Sequence, residues 1–328
     1  AICRLEPPVR EEPFTRVDAR RILDLSSLPI FRDAPAPVVS GAATLLRDIT
    51  FNAGEKIQAR GATVPRVLFL QRGTVHVIQP NREIDIEPPA QLGLYYALAG
   101  ADSRSEVMAT TEVRALALES KDLVDLFEDQ FPLLRSTLRE TARVALKETR
   151  PRLAIPFEFA GSHWKQLNRE PRLDLVERLF FLREMLAFPG VSIDALASVA
   201  RQMRSKRFKA GETIWKQGDP SLDMYLIASG EVLAKSETET LIHTQGGPLG
   251  GLETFAQAPR WYDLDAKTDV LVLLTSSDSI LDMIEEHPEM GSGLVASLAR
   301  AVIELREGAI DVRATNPRLP KVVVPTVE

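Results

Sequence analysis

Apolar and polar positions follow two different rhythms along this chain. In two windows the apolar runs are short and each is followed closely by glycine: Val67-Leu68-Phe69-Leu70 before Gly73, and Met224-Tyr225-Leu226-Ile227 before Gly230. Runs of this length, turned by glycine at intervals of roughly 8–12 residues, predict short antiparallel strands in a sandwich or jelly roll. Elsewhere the apolar residues return every three or four positions, which predicts helices. Such stripes comprise Val17, Ile22 and Leu25; a short helix over 38–47; and Leu123, Leu126, Phe127, Leu134 and Leu138 within a helical stretch over 121–147, interrupted around Pro132. Leu175, Leu179, Leu182 and Leu186 make another stripe, stopped by Pro189-Gly190. Ser192 suits the N-cap of a helix carrying Ile193, Leu196, Val199 and Met203 and ending in Arg201, Arg204, Lys206 and Arg207. Leu294, Leu298, Val302 and Leu305 predict a closing helix.

The two strand-rich windows are copies of each other. A shift of 157 positions lays 51–75 onto 208–232 without a gap, and eight of the 25 pairs are identical, among them Gly54/Gly211, Gly61/Gly218 and Gly73/Gly230. Ordinary residue frequencies give about one or two such pairs. The same shift pairs Ala109 to Val113 with Ala266 to Val270, so one structural unit occurs twice.

Composition narrows the function classes. Forty basic against 46 acidic residues leave a formal charge of -6, which argues against a nucleic-acid footprint. Cys3 is the single cysteine, so an internal disulfide and a cysteine metal site are excluded. The four histidines, His76, His163, His243 and His287, are scattered, and no nucleophile–base motif accompanies them; the expectation is no catalysis and no metal. No apolar run approaches the ~20 residues of a membrane span, and the expected setting is soluble and cytoplasmic. Arg20-Arg21 reads as part of a plain amphipathic helix, and His163-Trp164 as packing in a linker.

The ordered set F-x-A-G-E-x-I, then G-D, then M-Y-L-I-x-S-G-E-V in 208–232 resembles the cyclic nucleotide-binding domain of catabolite activators, kinase regulatory subunits and gated channels. The resemblance covers about 190–305 and, less strictly, 29–147. It implies a β-roll flanked by helices that report on a pocket, and a cassette resembling F-G-E-L-A-L…P-R-A-A in which an arginine meets the cyclic phosphate and a glutamate the ribose. In the second copy Gly250, Leu252, Pro259 and Arg260 fall on cassette positions. Gly251 stands where the ribose glutamate belongs, Glu253 sits two residues later, and Trp261 and Tyr262 replace the small residues after the arginine. Loss of one charged hydrogen bond of roughly 1.5–3 kcal/mol weakens binding about 10- to 100-fold. In the first copy the shift gives Gly93, Leu94 at the ribose position and Ser103 at the arginine position, with Arg104 one step on and expected on the surface.

The reading is an α+β chain with two tandem β-roll, jelly-roll-like domains and flanking helices: an arm over 1–16, a first domain over 17–149, a linker over 150–171, a second domain over 172–307 and an extended tail over 308–328. The expected function is a non-catalytic regulatory or sensory protein with degenerate ligand cassettes. The expected ligand set is Gly250, Gly251, Leu252, Glu253, Arg260, Trp261 and Tyr262 for a cyclic nucleotide, with Gly93, Ser103 and Arg104 as the corresponding set in the first copy. The alternative is a ligand-independent assembly module that keeps only the fold; there Arg260 would pair with an acid such as Glu253 or Asp263. Either reading expects a protein partner or a homo-oligomer, with no DNA-reading domain.

Overall fold

The computed structural model describes residues 16–149, 173–183, 191–246 and 248–308. Helix α1 (Arg16–Ser26), a 3₁₀ turn (Pro29–Phe31) and α2 (Ala36–Leu45) lead into strands β1 (Arg47–Phe51), β2 (Lys56–Gln58), β3 (Arg66–Arg72), β4 (Val75–Ile78), β5 (Glu83–Ile86) and β6 (Ala90–Leu92). Helix α3 (Leu94–Ala99) interrupts the sheet before β7 (Glu106–Ala109) and β8 (Val113–Glu119), and α4 (Ser120–Asp129) and α5 (Phe131–Thr149) follow. The second copy has α6 (Leu175–Arg183), α7 (Ile193–Gln202), β9 (Arg204–Phe208), β10 (Thr213–Trp215), β11 (Asp223–Ser229), β12 (Glu231–Lys235), β13 (Thr240–Thr244) and β14 (Pro248–Leu249). Then come α8 (Gly251–Ala256), β15 (Asp263–Ala266), β16 (Val270–Ser276), α9 (Ser277–Glu286) and α10 (Pro288–Glu307).

Each copy folds as two four-stranded antiparallel sheets. Their orders are β1-β8-β3-β6 and β2-β7-β4-β5 in the first roll, and β9-β16-β11-β14 and β10-β15-β12-β13 in the second. Strand order and register are the same in both. Leu68 faces Ala117 as Tyr225 faces Leu274, and the register slips between Leu70 and Arg72 as it does between Ile227 and Ser229. The 157 shift therefore runs further than residue identity shows, from α2 and α7 through α3 and α8 to the starts of α5 and α10. Gly73 and Gly230 follow the slipped strands with φ of +93° and +91°, a left-handed conformation that favours glycine.

Two apolar clusters line the interiors of the rolls, with Leu68, Val75, Val107 and Ala117 in the first and Phe208, Trp215, Val232 and Leu264 in the second. A third cluster is shared. It runs through the helices of both copies, with Leu133, Leu134, Leu138 and Ala142 of α5 against Met290, Leu294, Val295 and Leu298 of α10. Gly291 lets these two helices close up: a Cβ there would lie 2.5 Å from side-chain carbons of Leu134 and Ile284. No helix among the described residues is long and apolar enough to cross a membrane.

Several expected elements shift. The stretch over 121–147 is two helices, because the chain leaves helical geometry at Gln130 (φ -131°, ψ 76°) ahead of Pro132. Ser192 caps α7 by accepting from the Ala195 amide at 3.2 Å, but Ile193 at the first position points outward and is 69% exposed. Arg204, Lys206 and Arg207 are not on that helix. Met203 turns the backbone extended, and these residues form the edge strand β9, paired with β16. In α1, Leu25 is buried and Ile22 half-buried, as expected, whereas the side chain of Val17 lies outside the described residues, as do Cys3, His163-Trp164 and Leu186. Ser192→Ala should cost about 1 kcal/mol, the usual worth of a serine N-cap. Urea denaturation followed by far-UV circular dichroism measures it, and an unchanged midpoint would show the cap to be idle.

Candidate functional site

Each roll presents the same short turn to its interior. Gly93 and Gly250 sit in left-handed geometry (φ 79° and 72°) at the starts of α3 and α8, where the sheet hands over to the cassette helix. What surrounds the two turns is opposite in character.

In the second roll the space is occupied by the protein itself. The Arg260 side chain is buried, 3% exposed, and points at backbone instead of solvent. Its Nη1 donates to the Gly250 carbonyl at 2.9 Å, its Nη2 donates to the Asp223 carbonyl, and its guanidinium lies over the Trp215 ring at 4.3 Å from the centroid. Arg260 therefore pairs with carbonyls and an aromatic face, while Asp263 accepts from the Gln217 amide at 2.7 Å and lies 3.5 Å from Lys216. Contact with the turn is tight: a Cβ at Gly250 would lie 2.0 Å from Nη1. Trp215 donates from Nε1 to the Tyr262 carbonyl at 3.0 Å and packs against Tyr225 and Tyr262 at 5.3 and 5.5 Å between centroids. Tyr262 is buried, and burial pushes its phenol well above the usual value. Trp261 is half-buried and packs edge-on to Tyr262 at 5.1 Å. Leu252 and Glu253 are buried in α8, and a Cβ at Gly251 would meet no atom within 4 Å.

The first roll is open. A cavity of about 580 Å³ lies inside it, within the ~300–1,000 Å³ range of small-molecule sites. Its walls include Gln58, Leu68, Ser103 and Ser105. The shift places Trp215, Tyr225, Arg260 and Tyr262 on these same four positions. Four large side chains thus fill in one copy the space that smaller ones leave in the other.

The far wall of this cavity comes from the other copy. The last turn of α10 brings Val302, Ile303, Arg306 and Glu307 to its rim. The Glu307 side chain, in a residue only 6% exposed, accepts from Ser105 Oγ at 3.0 Å, from Gln79 Nε2 at 3.3 Å and from the Tyr96 hydroxyl. Burial, reinforced by the bond to Glu307, pushes the Tyr96 phenol up to about 12, so it stays a donor. Ser103 Oγ donates to the Ser105 carbonyl at 2.8 Å. Arg104, expected on the surface, is half-buried and forms an ion pair with Glu304, because α10 packs over it. That pair raises the guanidinium's pKa.

The exchange is mutual. Arg300 of α10 donates to the carbonyl of Ala99, the last residue of α3, at 3.2 Å, and Arg143 of α5 donates to the carbonyl of Ala256, the last residue of α8, at 3.3 Å. These two bonds are one contact repeated 157 residues apart, each placing a cation on the free carbonyls of a helix end. The exit helix of each copy holds the cassette helix of the other.

A family model for the cyclic nucleotide-binding domain matches residues 205–287. The matched segment lies in the second roll, and the first roll repeats the topology of the second strand for strand. Over 135 residues the chain is 27% identical to the CRP-like cAMP-activated global transcriptional regulator of Mycobacterium tuberculosis, covering 39% of this chain and 60% of that protein. Over 140 residues it is 31% identical to the cAMP-dependent protein kinase regulatory subunit of Hypocrea atroviridis, covering 39% of this chain and 30% of that one. The regulatory subunit of a cAMP-independent protein kinase A from Trypanosoma brucei aligns over 85% of this chain and 86% of its own, at 17% identity and a TM-score of 0.34. The chain thus spans less than two thirds of the length of either of these two sequence relatives.

Reading the cassettes alone misses most of what shapes the sites. Trp215 and Tyr225 lie on strands outside the cassette, although carrying the shift to Gln58 and Leu68 exposes both. Glu307 has no signal of that kind: it lies about 200 residues from its partners Tyr96 and Ser105, on what looks like the polar end of a helix.

Proposed function

We propose that the chain is a non-catalytic regulator in which the first roll senses a ligand and the second is a filled scaffold carrying the helix that reports on it. The observation behind this is the mutual capping of cassette helices by Arg143 and Arg300. A cassette helix that moves on ligand entry must drag or release the exit helix of the other roll, and a ligand with different affinity for the two arrangements shifts their populations. Tyr96, Ser105 and Gln79 add a second link, since they hold Glu307 directly at the cavity. The filled second roll argues against two equal binding sites.

A second reading, a ligand-independent assembly module, is favoured by a different feature. Val176 and Phe180, one turn apart on α6, are 59% and 64% exposed, an apolar pair that a protein partner would cover.

Calorimetric titration of the full chain, with amide exchange read in parallel, tests the first reading. A ligand that binds should saturate at one per chain and slow exchange at 300–307 by 10-fold or more, because those amides lie in the helix end that closes the cavity. Saturation at two per chain, or protection confined to α8, would overturn it. Arg300→Ala should weaken the coupling, so that the same ligand binds but protects 300–307 less.

A further inference from the structure

We propose that the first roll takes an uncharged, donor-rich ring compound of nucleoside size, held at Glu307 and Gln91, and discriminates against anions of the same shape. This rests on the sensing reading above and names the chemistry of its ligand.

Most of the cavity wall is apolar: Ile57, Leu68, Val77, Ile84, Ile86 and Val107 line it. A flat ring suits such a wall. The polar end of the cavity offers acceptors. Glu307 receives three hydrogen bonds, and a carboxylate has about four lone-pair sites, so one stays open. Gln91 Oε1 is buried and has no hydrogen-bond partner among the described residues, although Gln91 lines the cavity. A buried acceptor left unpaired is costly, and a ligand donor would relieve it. The nearby hydroxyl protons are already committed within the wall. Tyr96 and Ser105 donate to Glu307, and Ser103 donates to the Ser105 carbonyl.

The cations around the cavity are occupied or peripheral. Arg66 lies 3.8 Å from Glu119, Arg306 donates to Glu148 at 3.0 Å, and Arg104 pairs with Glu304. Arg82 is exposed at the mouth, its Nε spent on Gln79 at 2.6 Å. At the position equivalent to Arg260 stands Ser103, which carries no charge. An anionic group brought to this end would face the Glu307 carboxylate without a forked cation to offset it. A full cation fares little better, since the apolar walls replace none of its water beyond that one lone pair. An uncharged molecule bearing hydroxyl or amine donors avoids both penalties.

Matched pairs isolate the charge. The whole 1–328 chain is titrated by calorimetry with adenosine against cyclic AMP, and with guanosine against cyclic GMP, each pair differing by the cyclic phosphate. At least one nucleoside should bind at one per chain, 10-fold or more tighter than its cyclic phosphate. Glu307→Gln should narrow that ratio by removing the repulsion, a change that loss of folding would not produce. Gln91→Leu should weaken the nucleoside by 10-fold or more while the melting curve stays in place. Equal or tighter binding of the cyclic nucleotide, with exchange at 300–307 still slowed, would refute this inference and leave the sensing reading intact. Failure of all four compounds to bind would refute it as well. Binding at two per chain would bring down the sensing reading itself.

Discussion

Arg260→Ala is expected to destabilise the second roll by about 2–4 kcal/mol and to leave nucleotide affinity unchanged. The size follows from the packing around the guanidinium. It lies between the Trp215 ring, 4.3 Å from the centroid, and the Gly250 backbone, with only 3% of the residue exposed. Truncation removes a buried cation–π contact worth ~2 kcal/mol and leaves a void lined by aromatic rings. The carbonyls it served are not abandoned. The Thr254 amide donates to Gly250 O at 3.1 Å, which frees the single Thr254 Oγ1 proton for Asp223 O at 3.1 Å and keeps the loss below that of a fully orphaned pair. A phosphate-binding arginine predicts the reverse pattern, with little change in stability and a loss of affinity of 30-fold or more. Urea denaturation monitored by tryptophan fluorescence, beside nucleotide calorimetry on the same variant, separates the two. A stable variant that loses nucleotide binding would return the second roll to the ligand-binding class.

Gly73→Ala and Gly230→Ala should each cost about 3–5 kcal/mol, and by similar amounts, since they are one position in two copies. At Gly73 an added Cβ would lie 2.3 Å from the Glu112 carbonyl oxygen, and at Gly230 it would lie 2.3 Å from that of Asp269. Both obstacles are backbone held in a strand connection, so neither can swing aside. The left-handed φ adds about 1–3 kcal/mol for any other residue, and forced overpacking typically another 1–3. Gly54 and Gly211 supply the control. They share positive φ, +84° and +86°, but a Cβ there meets nothing within 4 Å. Alanine at those two should cost only the conformational part, about 1–3 kcal/mol. Equal losses at all four glycines, measured by denaturant titration, would show that the close approach adds nothing.

The fold was legible because it rests on local signals that the chain states twice. Turn glycines, strand-length apolar runs and a constant offset survive in the residue string whatever the side chains do later. Two local readings missed for physical reasons. Ile193 obeys helical spacing yet sits at the first position of α7, facing outward, and Arg204 to Arg207 continue a helical charge pattern past the residue where the backbone turns extended. Helix ends are set by where neighbouring strands claim the backbone, here by β16 pairing with β9, and that competition is not written in the helix itself.

The candidate site divides along the same line. The sequence by itself determined that there are two rolls, that Ser103 and Leu94 replace the charged cassette residues in the first, and that Gly251 replaces the glutamate in the second. It also contained, through the repeat offset, the exchange of Gln58, Leu68 and Ser105 for Trp215, Tyr225 and Tyr262. Whether those aromatics point into the roll or away from it is a matter of packing, and only the tertiary structure decided that they close one pocket while its counterpart stays open. It alone brought Glu307 onto Tyr96 and Ser105, and set Arg143 and Arg300 on each other's cassette helices. Contacts between residues 113 to 211 positions apart arise from how α5 and α10 bury their apolar faces against one another. Hydrophobic burial is non-directional and acts through area, so the pattern of apolar residues says that these helices must be covered but not by what.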